Sequence, residues 1–227
     1  MVERLGRVIL RRHYLLEVML AAYPLSLRHI EMMMIERGVF VDHSTVHRWA
    51  LKILPVLVLV FRRRKTPGRH ELASWRMDET YVKVCSQWKY LYRAVDREGD
   101  TVDFLLSTHR DEAAARRFLE RAIDLHGVPE KITIDKGGAN TAAIVSVQAD
   151  SGLPIELRQS KYLNNIVEQD HRAVKPIVRP MPGFKSMRSA RILIAGIETM
   201  HRIHKGQLKR LKDHASAAAD QFYSLAF

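Results

Sequence analysis

The order of segments between Ser74 and Arg158 limits the possible folds more than any other feature of the chain. "SWRMDETYVKV" (Ser74–Val84), "WKYLYRAVD" (Trp88–Asp96) and "TVDFLLST" (Thr101–Thr108) are rich in β-branched and aromatic residues with alternating polarity, which is strand character. Only Cys85–Gln87 and "REGD" (Arg97–Asp100) separate them, so an antiparallel meander with hairpin connections is predicted. Thr108-His109-Arg110-Asp111 then fits a capping box. The helix it opens carries Ala114, Ala115, Phe118, Leu119, Ala122 and Ile123 on one face, and Gly127 and Pro129 stop it. "KITID" (Lys131–Asp135) is a short buried strand. Because it follows a helix, it is expected to return parallel to the first strand. A helix over Ala139–Ala149 and a strand over Ile155–Arg158 complete the series. A mixed α/β sheet with helices on its faces buries that arrangement.

Three acids stand at telling places in this order. Asp78 lies within the first strand and Asp135 closes the fourth. If those strands are neighbours, the two carboxylates approach each other, and close carboxylates repel unless a cation bridges them. Oxygen ligands of this kind suit Mg²⁺ or Mn²⁺. Glu168 is the third candidate, delivered from the helical stretch "YLNNIVEQDHRAVK" (Tyr162–Lys175) after the last strand. Each acid alone has an ordinary explanation: a strand end, a turn before Gly137-Gly138, a solvated helix residue. The three together, in this order, fit a site with two ions about 4 Å apart that clamps the attacking and leaving oxygens of a phosphoryl transfer. Lys175 follows Glu168 by seven residues, two helical turns, and so falls on the same face. Lys161, Asn164, Arg172 and Arg179 lie near that stripe and make it basic and amide-rich, while Val167, Val174 and Val178 fall on another.

Upstream of the strands the pattern is helical. Pro24 and Ser26 start a helix with Leu27, Ile30, Met33 and Met34 at helical spacing, and Gly38 ends it. Asp42 or Ser44 caps a second helix with Val46, Trp49, Ala50 and Ile53 as its apolar positions. Two short helices about a Gly-containing turn form the helix-turn-helix pattern. The second would present His43, Ser44, Thr45, His47 and Arg48 at its N-terminal end, where a recognition helix meets DNA. A plain helical hairpin explains the same pattern.

The charge supports a polyanionic partner. The chain of 227 residues is net +12, and the excess is uneven: residues 1–70 are +8, residues 71–155 are −3 and residues 156–213 are +8. Each Lys or Arg that neutralises a phosphate releases condensed counterions. The expected organisation is a helical region over 1–61 with the helix-turn-helix at about 24–54, a basic linker over 62–70, a catalytic core over 71–213 and a tail over 214–227.

The stretches "WRMDETYVKV", "WKYLYRAVDREGD", "STHRDEAAARRFL", "ITIDKGGAN" and "SKYLNNIVEQDH" resemble the catalytic core of bacterial insertion-sequence transposases, and the nearest group is the IS-six family, that of IS-twenty-six-like elements. The resemblance runs from about Tyr23 to about Gln207. It implies a ribonuclease-H-like core of the integrase and transposase type, with an Asp-Asp-Glu triad that binds divalent metal. By this similarity Asp78, Asp135 and Glu168 are both the catalytic and the metal-binding residues, separated by 57 and 33 positions, and Lys175 is the basic residue typical two turns after the Glu. It further implies two Mg²⁺ or Mn²⁺ ions, double-stranded DNA as partner at the element's ends and at the target, and a homodimer or larger assembly.

The remaining features are weaker. Lys185, Arg188 and Arg191 in "MPGFKSMRSARI" lie on a basic helix suited to gripping DNA or simply to solvation. Trp88 and Tyr90 suit base stacking, though strand aromatics are more often core. His201 and His204 share a helical face without a recognisable zinc pattern. No nucleotide-binding loop occurs. One cysteine, Cys85, fits a reducing cytoplasm, and the Arg-interrupted N-terminus does not read as a signal peptide. The apolar run Ile53–Phe61 is shorter than the roughly 20 residues that span a bilayer. Three rivals remain: a catalytically inactive DNA-binding protein, a metal-dependent nuclease that never joins strands, and, remotely, a glycosidase built on a carboxylate pair.

Overall fold

The computed structural model describes residues 27–36, 38–64, 74–135, 138–160, 167 and 183–205. Contacts divide the chain into two compact units, one of residues 67–175 and one that joins residues 1–66 to 176–227.

The first unit holds one sheet. β1 (Ser74–Val84), β2 (Gln87–Val95) and β3 (Thr101–Ser107) pair antiparallel, and β4 (Lys131–Ile134) and β5 (Glu156–Gln159) extend the sheet parallel to β1. The strand order is β3-β2-β1-β4-β5. This is the mixed sheet expected from the sequence, an antiparallel meander with β4 parallel beside β1. The β1–β2 hairpin turns on Cys85 and Ser86, both at positive φ (50° and 61°). Two-residue hairpin loops favour that left-handed pair because it matches strand twist, although it is strained for residues other than Gly or Asn.

α3 (Glu112–His126) and α4 (Gly138–Ser151) cover one face. Trp75 and Met77 of β1, Tyr92 and Ala94 of β2, and Ile132 and Ile134 of β4 alternate toward that face and pack on Phe118, Leu119, Ala122, Ala143 and Ile144. The predicted capping box shifts by three residues. Asp111 is the N-cap, accepting from Ala114 N at 2.8 Å, because Thr108 to Arg110 are still leaving β3. Gly127, at φ 82°, ends the helix as predicted.

The second unit contains α1 (Leu27–Glu36), α2 (His43–Arg64) and α5 (Met187–His204). Ile30 and Met34 of α1 pack on Val46 of α2, with Val39, Val41 and Trp49 around them. Gly38 takes φ 74° at the turn, and Asp42 caps α2 by accepting from Ser44 N at 2.7 Å and Thr45 N at 3.2 Å. Those bonds hold the Asp42 carboxyl well below the usual carboxylate range.

Two boundaries differ from the sequence expectation. α2 does not stop near residue 54 but continues through Pro55 and into the expected linker. An interior Pro removes a helical hydrogen bond. Burial of Leu54, Leu57, Val60 and Phe61 offsets that loss. α5 lies inside the span assigned to the core, yet its main helical partner is α2. The apolar segment His43–Phe61 is long and apolar enough to cross a membrane by composition, but its buried positions serve this helix pair. The tail 214–227 lies outside the described residues.

The α2–α5 contact is close at Gly196, where an added Cβ would meet Leu54 Cδ1 at 2.5 Å and Cγ at 2.9 Å. Gly196→Val should therefore overpack the pair and destabilise it by about 1–3 kcal/mol. Thermal unfolding checks this, and Gly196→Val combined with Leu54→Ala should recover part of the loss.

Candidate active site

The sheet brings two of the three predicted acids together. β1 and β4 run parallel with Ser74 opposite Lys131, Trp75 opposite Ile132 and Arg76 opposite Thr133. Continuing that register by two residues sets Asp135 beside Asp78. Side chains alternate along a strand, so with Trp75, Met77, Ile132 and Ile134 turned to the helix-covered face, Asp78 and Asp135 share the opposite one. Neighbouring strands are about 4.8 Å apart, a separation at which two carboxylates can share a divalent cation. Both aspartates are half-buried, Asp135 just beyond the end of β4.

The third acid, Glu168, lies outside the described residues, as do Lys161, Arg172 and Lys175. Val167, immediately before Glu168, is helical and fully buried. Among the described residues no group of three His, Cys, Asp or Glu side chains is close enough to hold a metal. The donor set offered here is the aspartate pair, and its all-oxygen chemistry fits Mg²⁺ or Mn²⁺.

Five residues around the site were not given a role from the sequence. Arg93 on β2 stands directly across from Asp78 and is fully buried. The alternation of "WKYLYRAVD" carried that signal, because a cation among the apolar residues of a central strand must have a function there. Glu79, one residue after Asp78, has a side chain only 6% exposed and forms an ion pair with Arg110. Asn140 Nδ2 donates to Glu79 Oε2 at 2.8 Å. Partial desolvation works against the charge on Arg110, but Glu79, then Tyr81 and Asp135, outweigh it and raise the guanidinium pKa. Burial, with the Glu79 and Asp111 carboxylates, pushes the Tyr92 phenol up to about 12.

The DNA-contact candidates on α2, and those before and on α5, belong to the other unit. Ser44 and Arg48 are exposed at the start of α2, with Thr45 and His47 half-buried beside them. Arg48 Nη2 donates to Thr45 Oγ1 at 2.8 Å, and Thr45 Oγ1 donates to Asp42 Oδ2 at 3.0 Å. His43 Nδ1 lies 3.0 Å from Glu31 and so ties α2 to α1. Desolvation and then the charge of Lys185 lower the His47 pKa from its ordinary value. Residues far apart in sequence, His47 and Lys185, thus lie within electrostatic reach of each other. Arg188 and Arg191 are exposed on α5. Of the two strand aromatics singled out, Tyr90 is half-buried against the core, as strand aromatics usually are, while Trp88 is 61% exposed, as is Tyr81 beside it at 52%. Trp88 and Tyr81 pack edge-on at 6.3 Å on the hairpin.

Comparison with known proteins identifies the family. A family model described as a DDE domain matches residues 72–207, a span that contains Asp78, Asp135 and Glu168. The chain is 37% identical over 191 residues to the transposase for insertion sequence-like element IS431mec of Staphylococcus aureus, covering 84% of this chain and 83% of that one. The same identity and coverage hold for the transposase for insertion sequence element IS257 in transposon Tn4003, also of Staphylococcus aureus. Among solved structures, the catalytic core domain of BIV integrase is a distant likeness, 17% identical with a TM-score of 0.45, covering 69% of this chain and 95% of that one. The sequence matches extend over most of the chain and bear out the resemblance to insertion-sequence transposases read from its motifs. The chain belongs to the DDE-domain family of insertion-sequence transposases, enzymes of DNA transposition.

Proposed function

We propose that this transposase binds the terminal inverted repeats of its element, cleaves the DNA strand there and joins the freed 3′-hydroxyl to target DNA, with Asp78, Asp135 and Glu168 as ligands of a divalent metal. The observation that carries this reading is the parallel register that sets Asp135 beside Asp78 on one face of the sheet. Two Mg²⁺ or Mn²⁺ ions, when bound, would activate the attacking oxygen and stabilise the leaving one. The protein's part is to hold the carboxylates at a fixed spacing on rigid strands and to compensate their charge with Arg93, while Lys161, Arg172 and Lys175 steady the scissile strand. Handling two DNA ends at once calls for a homodimer or larger assembly. The test is incubation of end-containing duplex with Mn²⁺. Nicked and joined products support the reading, hydrolysis alone favours a nuclease, and no reaction favours an inactive DNA-binding protein.

The helix-turn-helix reading assigns end binding to Ser44, Thr45, His47 and Arg48 on α2, with Lys185 and Arg188 of the same unit adding phosphate contacts. Arg48→Ala, Lys185→Ala and Arg188→Ala should each weaken binding across sequences and reduce the slope of log affinity against log salt by about 1. Fluorescence anisotropy across a salt series measures it. A downward shift of His47 means that folding opposes its protonation. The unit is therefore fully stable above the ordinary histidine pKa of 6.5 and loses stability as the pH falls below it. His47→Gln should flatten that loss in thermal unfolding between pH 7 and pH 5.

A further inference from the structure

Asp78 and Glu79 are consecutive on β1 and so project to opposite faces of the sheet. Asp78 faces the proposed metal site. Glu79 faces the helix layer, where its side chain is 6% exposed. An ionised carboxylate this deep persists only when paired and hydrogen-bonded. One oxygen meets Arg110 from the β3–α3 connection and the other accepts from Asn140 Nδ2 at 2.8 Å. Arg110 is held in turn by Tyr81, whose hydroxyl accepts from Arg110 Nη1 at 3.2 Å. Asn140 is 2% exposed and belongs to the first turn of α4. A carboxylate only accepts hydrogen bonds, so the Asn140 amide must present its NH₂ group, which fixes the orientation of that side chain.

What these bonds restrain follows from chain length. Asp135 ends at the β4 edge and α4 begins at Gly138, so two residues separate the aspartate from the helix that Asn140 anchors. Asn140 is thereby tied across the sheet to the residue next to Asp78. We propose that Glu79 is a positioning residue: through Asn140 it locks the short β4–α4 connection to β1 and so sets the spacing of the Asp135 and Asp78 carboxylates from the far side of the sheet. This rests on the reading of those two aspartates as metal ligands. Groups that orient ligands in this way typically contribute about 10- to 100-fold to metal affinity or activity.

The experiment is Mn²⁺ binding to the full chain, read by the loss of the free-ion electron paramagnetic resonance signal, with thermal unfolding of each variant alongside. Glu79→Ala and Asn140→Ala should each weaken Mn²⁺ binding by about 10- to 100-fold. The double variant should be little weaker than Glu79→Ala, since both act through one contact. Asn140→Ala leaves the Glu79–Arg110 pair in place and carries the test if Glu79→Ala does not fold. Glu79→Gln, which keeps one acceptor for Asn140, should retain more affinity than Glu79→Ala. Asp78→Asn is the reference. If it loses Mn²⁺ while folded Asn140→Ala and Glu79→Ala bind as the parent does, the positioning role is wrong and the metal site stands. If Asp78→Asn itself binds as the parent does, the metal site is wrong and the positioning role falls with it.

Discussion

Asp78→Asn, Asp135→Asn and Glu168→Gln should each reduce strand cleavage and strand joining by about a thousandfold or more while leaving end-DNA affinity within about twofold. A factor of a thousand corresponds to about 4 kcal/mol of transition-state stabilisation, the scale expected when a preorganised electrostatic group is removed. The substitutions keep shape and remove only charge and ligand capacity, so the sheet should fold as before. Their effects should not add, because each alone dismantles the same site, and a double variant should be no slower than a single one. Single-turnover assays on end-containing duplex, with a separate anisotropy measurement of binding, separate chemistry from affinity. A variant that loses binding and chemistry together would instead point to a folding defect.

The second large effect belongs to the core that carries the site. Phe118 of α3 is fully buried and stacks on Tyr92 of β2, with ring centroids 6.0 Å apart and planes at 26°. Phe118→Ala removes most of that ring's burial and leaves a cavity under the central strands, at a cost of about 3–5 kcal/mol. That is a large share of the roughly 5–15 kcal/mol that stabilises an ordinary domain. Metal binding at Asp78 and Asp135 should weaken with it at 37 °C, since both stand on the sheet that Phe118 supports. Tyr92→Phe is the contrasting control. The Tyr92 hydroxyl is buried with no hydrogen-bond partner among the described residues, so its removal should cost little or even stabilise. Urea unfolding of the three proteins gives the ranking directly.

Much of this architecture was legible in the chain. The period-two alternation of β1 to β3, with connections too short for crossovers, dictates a meander. A capped helix before a short apolar strand dictates the parallel return beside β1. From those two facts alone Asp78 and Asp135 become neighbours. The surroundings of the pair were less legible, because they depend on register. Nothing near Asp78 in sequence announces Arg93, which reaches it only by cross-strand pairing, or Asn140, which reaches Glu79 across 61 residues. Glu79 was given no role in the sequence, because its burial against the helix layer is not visible there. Helix α2 misled for a related reason: Pro55 signals a stop locally, and only the buried face against α5 overrides it. Trp88 misled in the other direction, since an aromatic in a strand is usually covered, and this one, next to the β1–β2 turn, is 61% exposed.

The central claim is that Asp78, Asp135 and Glu168 gather around shared divalent ions. Replacing Mg²⁺ with Fe²⁺ in the presence of ascorbate and peroxide generates hydroxyl radicals at the ion and cuts the backbone beside its ligands. The account predicts three clusters of cuts, around residues 78, 135 and 168, all suppressed by excess Mg²⁺ and all absent in Asp78→Asn. Cuts near residues 78 and 135 with none near residue 168, or a pattern that survives in Asp78→Asn, would contradict it.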